Sequence, residues 1–189
     1  MQVLELKEQD IDVSAVLAEN MRAQLYDTHV AEVLSRGDGG TVDAEALLRK
    51  LPADLDLDAG KAAARAVETA RGKARSVMVQ AFAYYRTRDY DAAVKYTNNL
   101  LACAAVSAEG GKALGEDVKW DAKEEILDLY GLYCEREGDE GARTRAADVL
   151  QLEAEEAKGI AEAVDNGSFQ QGLAGRTAAK ANEESTSIF

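Results

Sequence analysis

Along this chain apolar positions recur at intervals of three and four, the period of a helix, with no convincing run that alternates as a strand would. The first such stretch starts at Asp12 or Ser14, either of which can cap an opening turn, and runs to Ser35. Tyr26, Val30, Val33 and Leu34 share its apolar face. "RGDGG" at 36–40 ends it, because glycine takes the left-handed conformations that stop helices. "TVDAEALLRKL" predicts a short second helix, capped by Thr41 or Asp43, with Pro52 after its end. "DLDLDAG" leads into a long third helix reaching Thr87, its aspartates favourable at the positive N-terminus. That helix ends in the seam Val77, Ala81, Tyr84 and Tyr85.

"RDYD" reads as the next turn. The fourth helix sets Ala93, Thr97, Leu100, Leu101 and Ala104 on one amphipathic stripe, and "SAEGGKALGED" reads as a glycine-dotted loop. "VKWDAKEEILDLYGLYCERE" carries the strongest helical pattern. Ile126, Leu129, Tyr130 and Tyr133 form one seam, and Trp120, Leu127 and Cys134 lie a heptad apart beside it. "GDEGA" turns the chain into "RTRAADVLQL", and "EAEEAKGIAEAV" makes a last short helix. From 167 to 187 the chain is small and polar, which predicts a mobile or weakly helical tail closed by Ile188 and Phe189. The expected organisation is N-terminal helices over 1–60, core helical hairpins over 61–166 and a polar tail over 167–189. Whether 1–60 shares the core or ends a preceding repeat stays open.

Composition reinforces the helical reading. Apolar residues make up 47% of the 189 residues but aromatics only 6%, much of the remainder being alanine, and Pro52 is the single proline. That mixture suits helix packed closely on helix, an all-α fold with no sheet. The net charge of −13 argues against a nucleic-acid binder, which needs cations to displace counterions, and against anionic membranes. The charge is uneven. Lys61, Arg65, Arg71, Lys73, Arg75, Arg86 and Arg88 face one acid, Glu68, a local net of +6, leaving −19 on the rest. The plain reading is a solvated helix face paired with acidic neighbours. The functional reading is an anchor for an acidic partner helix, with Arg71, Lys73, Arg75, Arg86, Arg88 and Tyr90 as candidate partner-binding residues. Tyr84 and Tyr130 read as core, and Tyr90 as exposed in its turn.

Cys103 and Cys134 are the only cysteines and lack CxxC spacing, so a metal site is not expected. They suit a reducing compartment as small core residues, with a redox pair as the alternative. No apolar run approaches the roughly 20 residues that span a bilayer, and no secretory signal is read. Met1 precedes what reads as mid-domain sequence, as in an excised piece of a longer protein.

No catalytic constellation is visible, and neither an enzyme nor a cofactor is expected. "GDGG" at 37–40 lies between helices without the strand or GK[ST] of a phosphate loop. His29 is the sole histidine, and no serine has a nucleophile-elbow context. Glu124–Glu125 and Glu155–Glu156 are adjacent on helices and point to different sides. A tetratricopeptide array was the other candidate class, because Ala81, Tyr84, Asp89 and Ala93 fit one unit. The next hairpin falls 50 residues on, from Asp89 to Asp139, which breaks a 34-residue repeat. A divergent adaptor of that kind stays as an alternative.

A more specific likeness spans about 76–165. "NNLLAC", a loop, then "VKWDAKEEILDLYGLY" resembles the C-terminal part of the large, one-hundred-and-ten-kilodalton subunit of the translocon at the inner envelope of chloroplasts. The matching positions are Trp120, Lys123, Glu124, Glu125, Ile126, Asp128, Leu129, Tyr130 and Tyr133, preceded by the turn Arg86 to Asp89 and by Asn98, Asn99 and Leu100. "GDEGARTRAADVLQL" is richer in alanine than the family's pattern there. The resemblance implies a stromal, all-helical scaffold of irregular paired helices, HEAT-like or otherwise helical-repeat, attached to the inner membrane through the rest of a longer protein. It implies recruitment of an Hsp100-type ATPase, Hsp70 and chaperonin, with a co-chaperone subunit, and contact with incoming precursors whose basic transit peptides suit an acidic groove. A structural helical subunit of another organellar complex is the alternative.

Overall fold

The computed structural model describes residues 17–37, 42–114 and 123–169, and among these every regular element is helical. In chain order they are α1 (Glu19–Val33), α2 (Leu51–Asp54, entered through a π-helical turn, Ala46–Lys50), α3 (Ala59–Arg86), α4 (Tyr90–Glu109), α5 (Lys123–Arg136), α6 (Glu140–Val149) and α7 (Ala154–Asp165). The expected caps at Asp12, Ser14 and Thr41, the heptad position Trp120, and the tail with Ile188 and Phe189 lie outside the described residues.

Short acidic side chains start α3, α4, α6 and the stretch that leads into α2, satisfying N–H groups that have no intrahelical acceptor. Asp58 accepts from Lys61 N at 2.8 Å, Asp89 from Ala92 N at 3.2 Å and Asp139 from Ala142 N at 2.7 Å. Asp43 does the same for Ala46 N at 2.8 Å. Helix ends share a second device: a residue in left-handed conformation lets the following N–H reach back five residues to a carbonyl. Asp56, Arg88, Gly111, Gln151 and Gly167 take this position, with φ of 49°, 62°, 81°, 58° and 72°. The closing bonds are Leu57 to Pro52, Asp89 to Tyr84, Lys112 to Ser107, Leu152 to Ala147 and Ser168 to Ala163, all 2.9–3.0 Å.

Four boundaries differ from the sequence reading. α1 starts at Glu19 behind the extended Ala18, later than a helix running on from Asp12 or Ser14 would. Pro52 does not follow the second helix but sits in the first turn of α2, inside a continuous helical stretch. The π-helical turn before it widens the backbone where proline would otherwise crowd the carbonyl of the preceding turn. The turn after α3 is shorter than "RDYD", because Asp89 caps α4 and Tyr90 is already helical. And α4 runs to Glu109, into the expected loop, since Ser107 is fully buried and donates its hydroxyl to the Lys112 carbonyl. Burial held a segment that local glycines mark as loop.

The long hairpin of α3 and α4 is the most extensively packed pair, and the other elements assemble around it. On α3 the buried positions are largely alanine, at 62, 66, 70, 74 and 81. Their small side chains let a neighbouring backbone approach closely. On α4 the buried face includes Ala93, Thr97, Leu100, Leu101 and Cys103. α1 lies on α3, burying Tyr26, Val30 and Val33, and α5–α7 close the other side with Ile126, Leu129, Tyr130, Leu132, Tyr133 and Leu150. One hydrophobic cluster joins Tyr26 to Ala157, so the described part of 1–60 contributes to the same core as the hairpins.

Candidate functional site

The basic residues that the sequence groups on α3 do not form one patch. A helix turns about 100° per residue, so their side chains leave in several directions. Arg65 pairs with Asp27 of α1. Lys73 donates to the Ala31 carbonyl at 3.1 Å and to the Ser35 hydroxyl, tying α3 to the end of α1. Arg86 grips the Glu125 carboxylate of α5 with two bonds of 2.6 Å each, and this pairing raises its pKa. These three cations link elements of the fold to one another.

Arg75 is exposed and Arg71 half-buried. They line an open groove of about 810 Å³ with Gly60, Ala64, Val67 and Lys112. The C-terminal end of α4 meets α3 at the groove's edge. A Cβ built on Gly110 would lie 2.1 Å from a methyl of Val67, so only glycine permits this approach. Arg88 is exposed in its left-handed turn. Tyr90, expected in the open, is half-buried against the core with its ring centroid 6.0 Å from that of Tyr85. Tyr84, expected in the core, is only half-buried and stacks on Tyr96 at 5.1 Å. Tyr130 is core, as expected.

Cys103 and Cys134 are free and buried. Burial pushes the Cys103 thiol up to about 12 and raises that of Cys134 as well, so both stay protonated at neutral pH. His29 borders a smaller cleft of about 350 Å³ together with Arg36, Lys50 and Asp54. Among the described residues no group of three or more His, Cys, Asp or Glu can hold a metal ion, and no helix is long and apolar enough to cross a membrane.

Several of the described residues that carried the family resemblance tie the fold together. Lys123 reaches Glu156 of α7 at 2.7 Å, while Glu125, two residues on, reaches Arg86 of α3. The Tyr133 hydroxyl donates to Asn98 Oδ1 at 3.0 Å, joining α5 to α4. Sequence reading passed over Arg143. Its side chain donates to the carbonyls of Cys134 at 2.7 Å and Glu137 at 2.9 Å, and to Asp165 at 2.8 Å, so one cation caps α5 and holds the end of α7. Phe169 was missed too: its ring lies on Gly131 so closely that a Cβ there would fall 2.0 Å from it. Neither residue stands out locally, because each acts on an element distant in sequence.

The fold and this surface define a class: an all-α helical module, acidic in net charge, with an open groove lined mainly by small and basic side chains. Over 133 residues, 70% of its length, the chain is 32% identical to "Protein TIC110, chloroplastic" of Pisum sativum, and equally so to the Arabidopsis thaliana protein of that name. The chain is related to one region of the TIC110 family, in agreement with the resemblance read from 76–165. It spans 13% of the pea protein and 12% of the Arabidopsis protein. No family model matches, and no solved structure matches.

Proposed function

We propose that this chain is a helical scaffold segment of the chloroplast protein import machinery, working at the stromal face of the inner envelope. The observation that carries the reading is the 133-residue relationship to a region of TIC110. The structure supports it in kind: rigid helices locked by caps and cross-ties expose a charged surface to partners. Membrane attachment belongs to the rest of a longer protein.

In this reading the segment recruits stromal chaperones, namely an Hsp100-type ATPase, Hsp70 and chaperonin together with a co-chaperone subunit, and it contacts incoming precursors. The net charge of −13 favours a salt-sensitive encounter with basic, unfolded transit peptides. The partner-binding residues named from the sequence divide accordingly. Arg71 and Arg75 face the groove, Arg88 and Tyr90 flank the α3–α4 turn, and Lys73 and Arg86 act through the fold. The unequal lengths of α3 and α4, 28 and 20 residues, do not favour a regular repeat adaptor.

The test is a pull-down from stromal extract with the chain as bait, at low and moderate salt, read by mass spectrometry. Recovery of Hsp100, Hsp70 or chaperonin at moderate salt is expected. A single stoichiometric partner from an unrelated assembly would replace the scaffold reading with that of a fixed structural subunit.

A further inference from the structure

On α3, Gly60, Ala64, Glu68, Arg71, Arg75 and Val79 succeed one another at spacings of three and four, so they share one face of the helix, exposed except at the half-buried Arg71. From Gly60 to Arg75 this line is also one wall of the groove, and Lys112 beyond the end of α4 stands on the other. We propose that the groove seats an acidic amphipathic helix of a partner protein, with Arg71, Arg75 and Lys112 gripping its carboxylates over a floor of glycine and alanine. The proposal rests on the scaffold reading for the existence of such a partner.

Three observations select this occupant. The first is shape. Gly60, Ala63, Ala64 and Gly72 present little or no side chain, which lets another helix axis come near the short end of the usual 8–10 Å separation. The fifteen helical steps from Gly60 to Arg75 span roughly 23 Å, which matches a partner helix of about four turns. The second is charge. Arg71, Arg75 and Lys112 outnumber Glu68 along the groove, whereas the whole chain carries −13. A basic segment is drawn to the acidic remainder of the surface, and an acidic helix to this groove. Three cations and an acid are also too few for a phosphate backbone. The third is Val79, one turn beyond Arg75, which is 62% exposed and among the few large apolar side chains left open. It gives the end of the seat an apolar contact that a charged ligand alone would not need.

The test uses fluorescein-labelled synthetic helices of about 20 residues, long enough to cover the seat. One is alanine-rich with glutamates along one face, and its counterparts carry glutamine or lysine at the same positions. Anisotropy titration of the full chain is expected to show saturable, salt-sensitive binding of the glutamate helix only. The Arg71→Ala/Arg75→Ala double variant is expected to weaken binding roughly tenfold or more. Ala64→Trp fills the floor at an exposed position and is expected to abolish binding while circular dichroism stays native. Val79→Ser is expected to weaken binding several-fold.

Equal binding of the glutamate and lysine helices, or unchanged binding by the double variant, overturns the proposal. So does a concentration-dependent dimer by light scattering that Ala64→Trp abolishes, since the seat would then belong to a second copy. The stromal pull-down separates the two readings. Chaperones retained equally by wild type and double variant, with no glutamate-helix binding, end the groove proposal and leave the scaffold standing. Glutamate-helix binding without any retained stromal protein supports the groove and ends the scaffold reading.

Discussion

The α3–α4 hairpin and the α5–α7 group bury comparable helical patterns by opposite means. In α3 the buried line is a ladder of alanines, so the helix packs through its backbone and small methyl groups. In α5 the same period is filled with Ile126, Leu129, Tyr130, Leu132 and Tyr133, and the Tyr133 hydroxyl and Arg143 guanidinium add directional ties. Periodicity is the same in both; side-chain size decides how close the neighbours come and which errors each region tolerates. An alanine seam has no room to give. A seam of large side chains leaves a hole when one is shortened.

The largest effect expected is alkaline and strikes both regions. Burial raises Tyr26 and Tyr133 to about 12 from an ordinary 10.0, and Cys103 to about 12 from 9.0. The folded state therefore holds protons that the unfolded chain releases, so stability present below pH 9 falls as the pH rises toward 12. Denaturation curves across that range should shift to lower denaturant with each step, and a flat profile would show that these groups ionise in place. At neutral pH both cysteines should resist a thiol reagent until the chain is unfolded.

Next comes Leu132→Ala in α5, at a fully buried position, expected to cost about 3 kcal/mol in chemical denaturation through transfer loss and the cavity left behind. Ala74→Leu in α3 probes the opposite failure. Overpacking at a position with no exposed surface should cost about 2 kcal/mol. If it proves neutral, the alanine seam is looser than its partner and the contrast fails. Arg143→Met keeps much of the apolar stem and removes three donors, for a loss of about 1–2 kcal/mol that Arg143→Lys restores only in part. The smallest effect has the opposite sign. Arg88→Gly relieves a left-handed residue and should stabilise the hairpin turn by about 0.5–1 kcal/mol, read as a rise in denaturation midpoint.

Much of this organisation was legible in the chain. Helix period, the cap at Asp43, the aspartates ahead of α3, and the buried faces of α1, α4 and α5 follow from local rules that need no partner. The misplaced boundaries were those where packing overrode local signals: Pro52 was absorbed by a widened turn, and Ser107 stayed helical because it is buried. The candidate surface was half legible. A run of seven cations marked α3 and the turn after it, but the run itself does not say which of them face other helices.

By itself, then, the sequence determined the helical class, the order of the helices, the acidic balance and the kinship with a region of TIC110. These depend on residue type and spacing, which are local and additive along the chain. Tertiary structure alone decided that Arg65, Lys73 and Arg86 tie the fold together while Arg71 and Arg75 line the groove. It also decided that Gly110 admits Val67 and that Gly131 admits Phe169. The reason is geometric: a charge or a missing side chain takes its role from what stands opposite, and that is fixed only when distant helices meet.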